Sequence, residues 1–353
     1  MAILSLSGND SVASVRRPAI EINFGSGSQE DWQKTLAFLS IECGMAPFVD
    51  VAEIHLSTDP RAPSVEMEDS GGISLGYEDS DTETVFSGQV EYLRSGLNGK
   101  TIISAANGGA SLSRLRINQS YEQQNAGDIV NDLAGTAGAG SGTIESGIDY
   151  PFYAIDDRRN AYRHIAEFAS HNGFLAYVDP ENKLQFVSFS EGNAVQSFVF
   201  GTDILSLQVL EATPVNGKTI AVGEGAAGSE GQDAWNWLVK DPSPVTHQAG
   251  GGEPERRFSI VALRSSEAVQ TTAESLASAA SRVNITGRIL VPGAPVVTVG
   301  SIIEIKDAPQ DALNGKGLVR QVKHRYSKWE GFTTQIIFSK IEGGAFGGLG
   351  GLL

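Results

Sequence analysis

The sequence predicts an α+β fold that is mainly β, laid out as a β-domain, an α/β insert and a second β-domain. Three observations carry this reading. Forty-one glycines among 353 residues imply many turns. Alternation with period two recurs towards both ends of the chain, as in Ile20-Glu21-Ile22 and in Phe332, Thr334, Ile336 and Phe338. Helical spacing gathers in the middle, through Ala126, Ile129, Val130 and Leu133 and again from Asp156 to His171.

Residues 1–16 are polar and small, and an extended arm is expected there. Residues 17–109 form the first β-domain. Strand text begins at Arg17-Pro18-Ala19-Ile20, Trp32–Cys43 suits helix or strand, and Val49–Leu56 reads as a strand. An acidic loop around Asp59–Gly72 follows, then a hairpin of Val85–Leu93 and Lys100–Ser104 that turns at Asn98-Gly99. Residues 110–192 form the insert. It holds a helix over Gln123–Leu133, a flexible loop over Gly135–Gly147, and a helix over Asp156–His171 ended by a left-handed cap at Asn172-Gly173. Its hairpin pairs Phe174–Val178 with Lys183–Phe189.

Residues 193–342 return to strands at Val195–Phe200, Ile204–Leu210, Thr219–Val222, Gly287–Val291, Ser301–Lys306, Gly317–Tyr326 and Phe332–Lys340. A long loop over 224–257, rich in Gly, Pro and charge, interrupts them, and Ser265 or Ser266 caps a helix running through Ala280. Residues 343–353 are a glycine-rich apolar tail.

Charge and composition exclude several classes. Lys plus Arg number 26 against 42 Asp plus Glu, a formal net charge of −16, which argues against gripping nucleic acid through its phosphates. Cys43 is the single cysteine, so intramolecular disulfides and cysteine-rich zinc sites are excluded. No apolar run has bilayer length and no secretory layout opens the chain, so synthesis in the cytoplasm is expected.

Motifs for chemistry fail on inspection. Asn-Gly-Lys occurs at Asn98, Asn216 and Asn314, and Gly99-Lys100-Thr101 ends like a phosphate-binding loop. The glycine that loop needs five residues earlier is Arg94, and Ala212 fails the second copy in the same way. Hairpin turns explain the phrase better, because Asn-Gly tolerates positive φ. His164, Glu167 and His171 share a helix face but match neither zincin order, and a solvated face is expected. His55, His247 and His324 have no catalytic neighbours in sequence, and the parity of His324 with Leu318, Val322 and Tyr326 suggests a wall position. Gly138-x-Gly140-Ser141-Gly142 lacks the strand and helix of a nucleophile elbow, and pairs such as Asp156-Asp157 are expected by chance among so many acids. No catalytic, cofactor-binding or metal residue emerges, and no cofactor is expected.

The insert reads Asp156-Asp157-Arg158-Arg159-Asn160-Ala161-Tyr162-Arg163-His164-Ile165-Ala166-Glu167-Phe168-Ala169-Ser170-His171-Asn172-Gly173-Phe174-Leu175-Ala176-Tyr177-Val178, then Lys183-Leu184-Gln185-Phe186. Phe86-Ser87-Gly88-Gln89-Val90 and Asp128-Ile129-Val130 precede it, and Val322-Lys323-His324 and Gly331-Phe332-Thr333-Thr334 follow. In that order, over most of residues 17–340, these segments resemble the phage late control protein D family, the hub portion of VgrG-type proteins. The resemblance implies that both β-domains are barrels like the tail-tube protein. It further implies a non-enzymatic hub in the baseplate of a contractile phage tail or injection system. Three copies would place six barrels between the hexameric tube and a trimeric spike, and hairpins in related barrels would explain the repeated turn phrase.

The implied partners are its own copies as a homotrimer, the tail tube protein, a spike protein and other baseplate proteins. DNA or an effector would pass through an acidic lumen without specific binding. VgrG-type chains continue into an OB-fold and a needle, whereas this sequence stops at Leu353, so the spike is expected to be a separate polypeptide. Phe346, Leu349, Leu352 and Leu353 are the candidate partner-binding residues. The competing reading is a β-rich carbohydrate-binding or glycan-hydrolysing protein using Trp32, Trp235, Trp237 and Trp329 as a sugar platform.

Overall fold

The computed structural model describes residues 16–96, 100–213, 217–223, 245–282 and 284–341. The first part contains β1 (Pro18–Ile22), α1 (Gln29–Thr35), β2 (Leu36–Gly44), β3 (Val51–Leu56), β4 (Ser70–Tyr77), β5 (Glu83–Ser95) and β6 (Thr101–Ala106). The ambiguous stretch from Trp32 resolves into both readings, a short helix and then a strand. Ser28 and Asp31 close a capping box that starts α1, and Trp32 and Thr35 are its buried residues. From Leu36 the chain alternates into a core with Ile20, Ile22, Ile54, Ile73 and Ile103.

The middle part contains α2 (Gly108–Arg114), β7 (Gln119–Asn125), α3 (Ala126–Ala137), β8 (Gly140–Ile144), β9 (Asp149–Ile155), α4 (Ala161–Asn172), β10 (Phe174–Val178) and β11 (Lys183–Ser188). The loop expected over Gly135–Gly147 is ordered instead. Gly138, at φ 69°, ends α3, and β8 then pairs in parallel with β11. Backbone pairing orders this stretch, which its small side chains could not signal. α4 starts later than expected because Asn160, not Asp156 or Asp157, caps it by accepting from Arg163 N. Its end is as expected, with Gly173 left-handed at φ 71°.

The last part contains β12 (Gln196–Val199), β13 (Ser206–Glu211), β14 (Lys218–Val222), β15 (Thr246–Gly250), β16 (Glu255–Ser259), α5 (Ser266–Arg282), β17 (Ile285–Pro292), β18 (Ile302–Lys306), β19 (Gly315–Ser327) and β20 (Gly331–Lys340). The helix cap falls at Ser265, whose Oγ accepts from Ala268 N at 3.1 Å.

One sheet of 12 strands runs β1-β4-β5-β6-β3-β2-β19-β20-β17-β13, with β18 also on β19 and β12 on β18. Two separate cores lie on it. One gathers Trp32, Leu39, Ile54 and Phe86, and the other gathers Phe198, Ile289, Ile303, Val322, Ile336 and Phe338. The two strand sets meet where β2 pairs antiparallel with β19, from Phe38↔Ser327 to Gly44↔Gln321. A third core belongs to the middle part, and Ala221, Val245, Leu263, Val269 and Ala273 join it. Thus β14, β15, β16 and α5 pack on the insert, although strands of the second set flank them in sequence.

The Asn-Gly-Lys phrases differ in role. The first lies in the β5–β6 hairpin, where Ser95 faces Thr101, though residues 97–99 are outside the described ones. The second leads into β14, which pairs with β15 and β16 and forms no hairpin with β13. The third closes the 307–314 connection, where the Asn314 side chain bonds Ala308 N and O at 2.8 and 3.0 Å. A shared turn phrase therefore does not mark a shared hairpin.

On β20 the expected face is buried: Phe332, Thr334, Ile336 and Phe338. On β19 the expected parity breaks. A bulge between Val319 and Gln321 puts Val322 and His324 on the face of Val319, away from Leu318. Phe338 lies across glycines of both neighbouring strands. A Cβ at Gly287 would stand 2.1 Å from its ring, and one at Gly317 would stand 2.4 Å away. Gly287→Ala is expected to lose about 2 kcal/mol, because a ring held in a core cannot step aside. A thermal melt at the wild-type midpoint would show that Phe338 does not need that space.

Candidate functional site

The residues expected to bind partners, Phe346, Leu349, Leu352 and Leu353, lie outside the described residues, as do Trp235 and Trp237. Among the described residues no three His, Cys, Asp or Glu side chains gather as a metal site. The helix face of His164, Glu167 and His171 is not solvated as expected. Both histidines are buried, α5 packs on the same helix, and Glu167 pairs with Arg159 at 2.5 Å. Trp32 is in the first core, so it cannot serve a sugar platform.

A small cluster of buried polar groups instead borders the segment 43–50, between β2 and β3. Asp50 is buried and accepts from Gly44 N at 2.8 Å and from Asn107 Nδ2 at 2.7 Å. Asn107 in turn caps α2, accepting from Gly109 N at 3.0 Å. The same segment reaches the other two parts. Met45 N donates to Arg320 O of β19 at 3.2 Å, and Ala46 N donates to Ala176 O of β10 at 2.8 Å. Gly108 N donates to Asn182 Oδ1 at 2.6 Å, tying α2 to the β10–β11 turn. Gly300, at φ 84°, lets the Tyr177 ring approach within 2.8 Å of where a Cβ would be. This is a three-way junction at which all three cores are fixed to one another.

Cys43, Asp50, Asn107, Tyr177 and His324 border a cavity of about 20 Å³ at this junction, room for one water. Their chemistry is that of a brace. Burial, then the neighbouring Asp50, pushes the Cys43 thiol well above its ordinary value, so no thiolate forms. Burial also raises Asp50 well above the usual carboxylate range, against the bonds from Gly44 and Asn107. His324 is pulled down to about 4 by burial, and its Nδ1 is engaged by Thr334 Oγ1 at 3.0 Å.

The outer surface offers contacts rather than chemistry. The free edge of β1 is closed by its own helix: Gln29 bonds Ile22 N and O at 3.0 and 2.8 Å. The far edge, β13, pairs only with β17 among the described residues, and Leu205 just before it and Leu210 within it are 60% and 65% exposed. An edge of this kind leaves backbone groups with which a further strand can pair. Trp329, at the β19–β20 turn, is 96% exposed.

No family model matches this chain. No curated protein matches it in sequence. Solved structures do match its fold. The 43 kDa tail protein of prophage MuSo2 from Shewanella oneidensis superposes with a TM-score of 0.68 at 12% identity, covering 92% of this chain and 98% of that one. The fold is that of a phage tail protein. A tail protein from Neisseria meningitidis MC58 gives 0.69 at 11% identity, over 92% and 97% of the two chains. The E. coli c3393 protein, a type VI secretion component similar in structure to the T4 tail proteins gp27 and gp5, gives 0.57 at 11% identity, over 92% and 77%. The fold shared with these tail proteins thus spans nearly the whole chain.

Proposed function

We propose that this chain is a structural, non-enzymatic baseplate hub of a contractile phage tail or phage-like injection particle. As a homotrimer it adapts the hexameric tail tube to a trimeric spike. The observation that carries this reading is the sheet itself. Two strand sets, each with its own core, stand side by side through β2 and β19. Each set is read as a tube-like barrel, one in 17–109 and one in 193–342 without the stretch 218–282 that packs on the insert, so three chains present six units to a sixfold tube. The insert, braced at the segment 43–50, would hold the two units at one angle.

The full-length likeness to tail proteins supports the same placement. Exposed Leu205, Leu210 and Trp329 suit an assembled particle, in which neighbours cover them. A net charge of −16 suits a lumen that DNA or an effector passes without sticking. The tail residues Phe346, Leu349, Leu352 and Leu353 are proposed to dock on the spike or on an adjacent copy.

Light scattering on a sizing column tests the assembly over a range of concentration and salt. A trimer is expected, alone or once mixed with the spike protein. A dimer that persists at every concentration would overturn the hub.

A further inference from the structure

The two strand sets repeat one topology. Across the sheet the first runs β2-β3-β6-β5-β4-β1, and the second runs β13-β17-β20-β19-β18-β12. In chain order the strands of each set take the same places, so β2 corresponds to β13 and β5 to β19. The departure is β12, which runs parallel to β18 where β1 is antiparallel to β4.

The likeness reaches single residues. β5 and β19 each have 13 residues and a bulge, between Val90 and Tyr92 and between Val319 and Gln321. Beside each bulge a left-handed residue, Glu68 at φ 68° or Gly300 at φ 84°, donates its N–H to the carbonyl of Val90 or Val319. The residue after it, Asp69 or Ser301, accepts from the N–H of the same valine at 3.0 and 2.9 Å. One row of facing residues fixes the alignment. Leu39, Ile54, Ile103 and Leu93 face one another in turn, as Leu207, Ile289, Ile336 and Val322 do. Counting from that row, Leu210 answers to Glu42, Tyr92 to Gln321 and Arg94 to Lys323.

Within the chain this repeat makes one join. The outer side of β2 is covered by the second half of β19, where Glu42 accepts from Gln321 Nε2 at 2.6 Å and Lys323 Nζ at 3.0 Å. The corresponding side of β13 is bare among the described residues, and so is the second half of β5, which pairs with β6 alone beyond Val90. Each bare edge carries an exposed apolar side chain, Leu210 and, at 71% exposure, Tyr92. These two stand where Glu42 and Gln321 stand at the existing join, so repeating that join would bring them together.

We propose that β13 of one copy pairs antiparallel with Glu91–Ser95 of the next copy, with Leu210 opposite Arg94 and against the Tyr92 ring. This names the contact of the proposed homotrimer and rests on that reading. The occupant is a second copy because the chain carries both halves of the join, and β2 and β19 already bring such halves together. Each copy offers one half of each kind, so the contact runs head to tail and closes as a ring. Pairing satisfies the open backbone groups of both edges and takes Leu210 and Tyr92 out of water.

The test places cysteines at facing positions of the full chain, Leu210→Cys with Arg94→Cys, within disulfide reach across a strand pair. Mild oxidation should link copies into species of two and three chains on a non-reducing gel. Either substitution alone should link none, and these single variants also control for Cys43. Leu210→Lys, on an exposed edge, should raise the concentration at which the trimer dissociates by at least about tenfold through repulsion from Arg94, and adding Arg94→Glu should restore it. Trimers that form no links, or that Leu210→Lys leaves intact, or a failed rescue by Arg94→Glu, would overturn this contact and leave the trimer standing. Links that run on past three chains would support the contact and overturn the hub. Neither links nor trimers would overturn both.

Discussion

Asp50→Ala is expected to destabilise the chain by about 3 kcal/mol, read as a fall in the urea midpoint at unchanged slope. The carboxyl accepts two buried donors, Gly44 N and the Asn107 side-chain amide, at 2.8 and 2.7 Å. Alanine leaves both without an acceptor, and each orphan donor costs roughly 1–3 kcal/mol. Removing a buried acid offsets part of this, since burial already holds its carboxyl above the usual range. Asp50→Asn retains one acceptor oxygen and should lose less, about 1–2 kcal/mol. The loss should spread beyond the local turn, because the segment 44–46 touches β10 and β19 as well. Cleavage by a protease should therefore appear at the joins between the three parts before it appears in any core. An alanine variant within about 0.5 kcal/mol of wild type would mean that the junction does not brace the molecule.

What was legible in the sequence follows from how local each signal is. Gly173 ends α4 and Ser265 caps α5 because a cap needs only its own few residues. The face of β20 is readable because Phe332, Thr334, Ile336 and Phe338 fall two residues apart and three of the four are apolar. β4 and β8 were not readable. Ser70-Gly71-Gly72 and Gly140-Ser141-Gly142 carry almost no side chain to pattern, and their order comes from partners far along the chain. The burial of His164 and His171 was likewise hidden, since it comes from the tertiary packing of α4, which also meets α5 about a hundred residues on. The same distance hid the packing of 218–282 on the insert.

The polar junction was hidden for a different reason. Asp50 follows Val49 in a stretch that reads as strand, and nothing nearby announces that Asn107 will meet it. The one available sign was Asn107-Gly108-Gly109, which marks a helix start after a strand and so an unpaired side-chain amide to be satisfied.

Acid should weaken the protein through His324, by about 3 kcal/mol between pH 7.5 and 4. The folded ring titrates at about 4 against an ordinary value of 6.5, and burial is the cause. Above pH 6.5 the ring is neutral in both states and its contribution is complete. As pH falls, the unfolded chain takes the proton first, so stability drains away until about pH 4, where the folded ring is protonated too. Asp50, which borders the same cavity, has the opposite sign: its raised carboxyl takes a proton more readily when folded, so acid favours the folded state there. Burial lowers His171 as well, in the same direction as His324, so a variant must separate the two. His324→Gln keeps a bond to Thr334 and removes the titration. Urea unfolding at pH 7.5 and 4 should show wild type losing about 3 kcal/mol more than this variant. Equal losses would mean that the His324 ring is reached by water, and that the wall between the two strand sets is looser than its packing indicates.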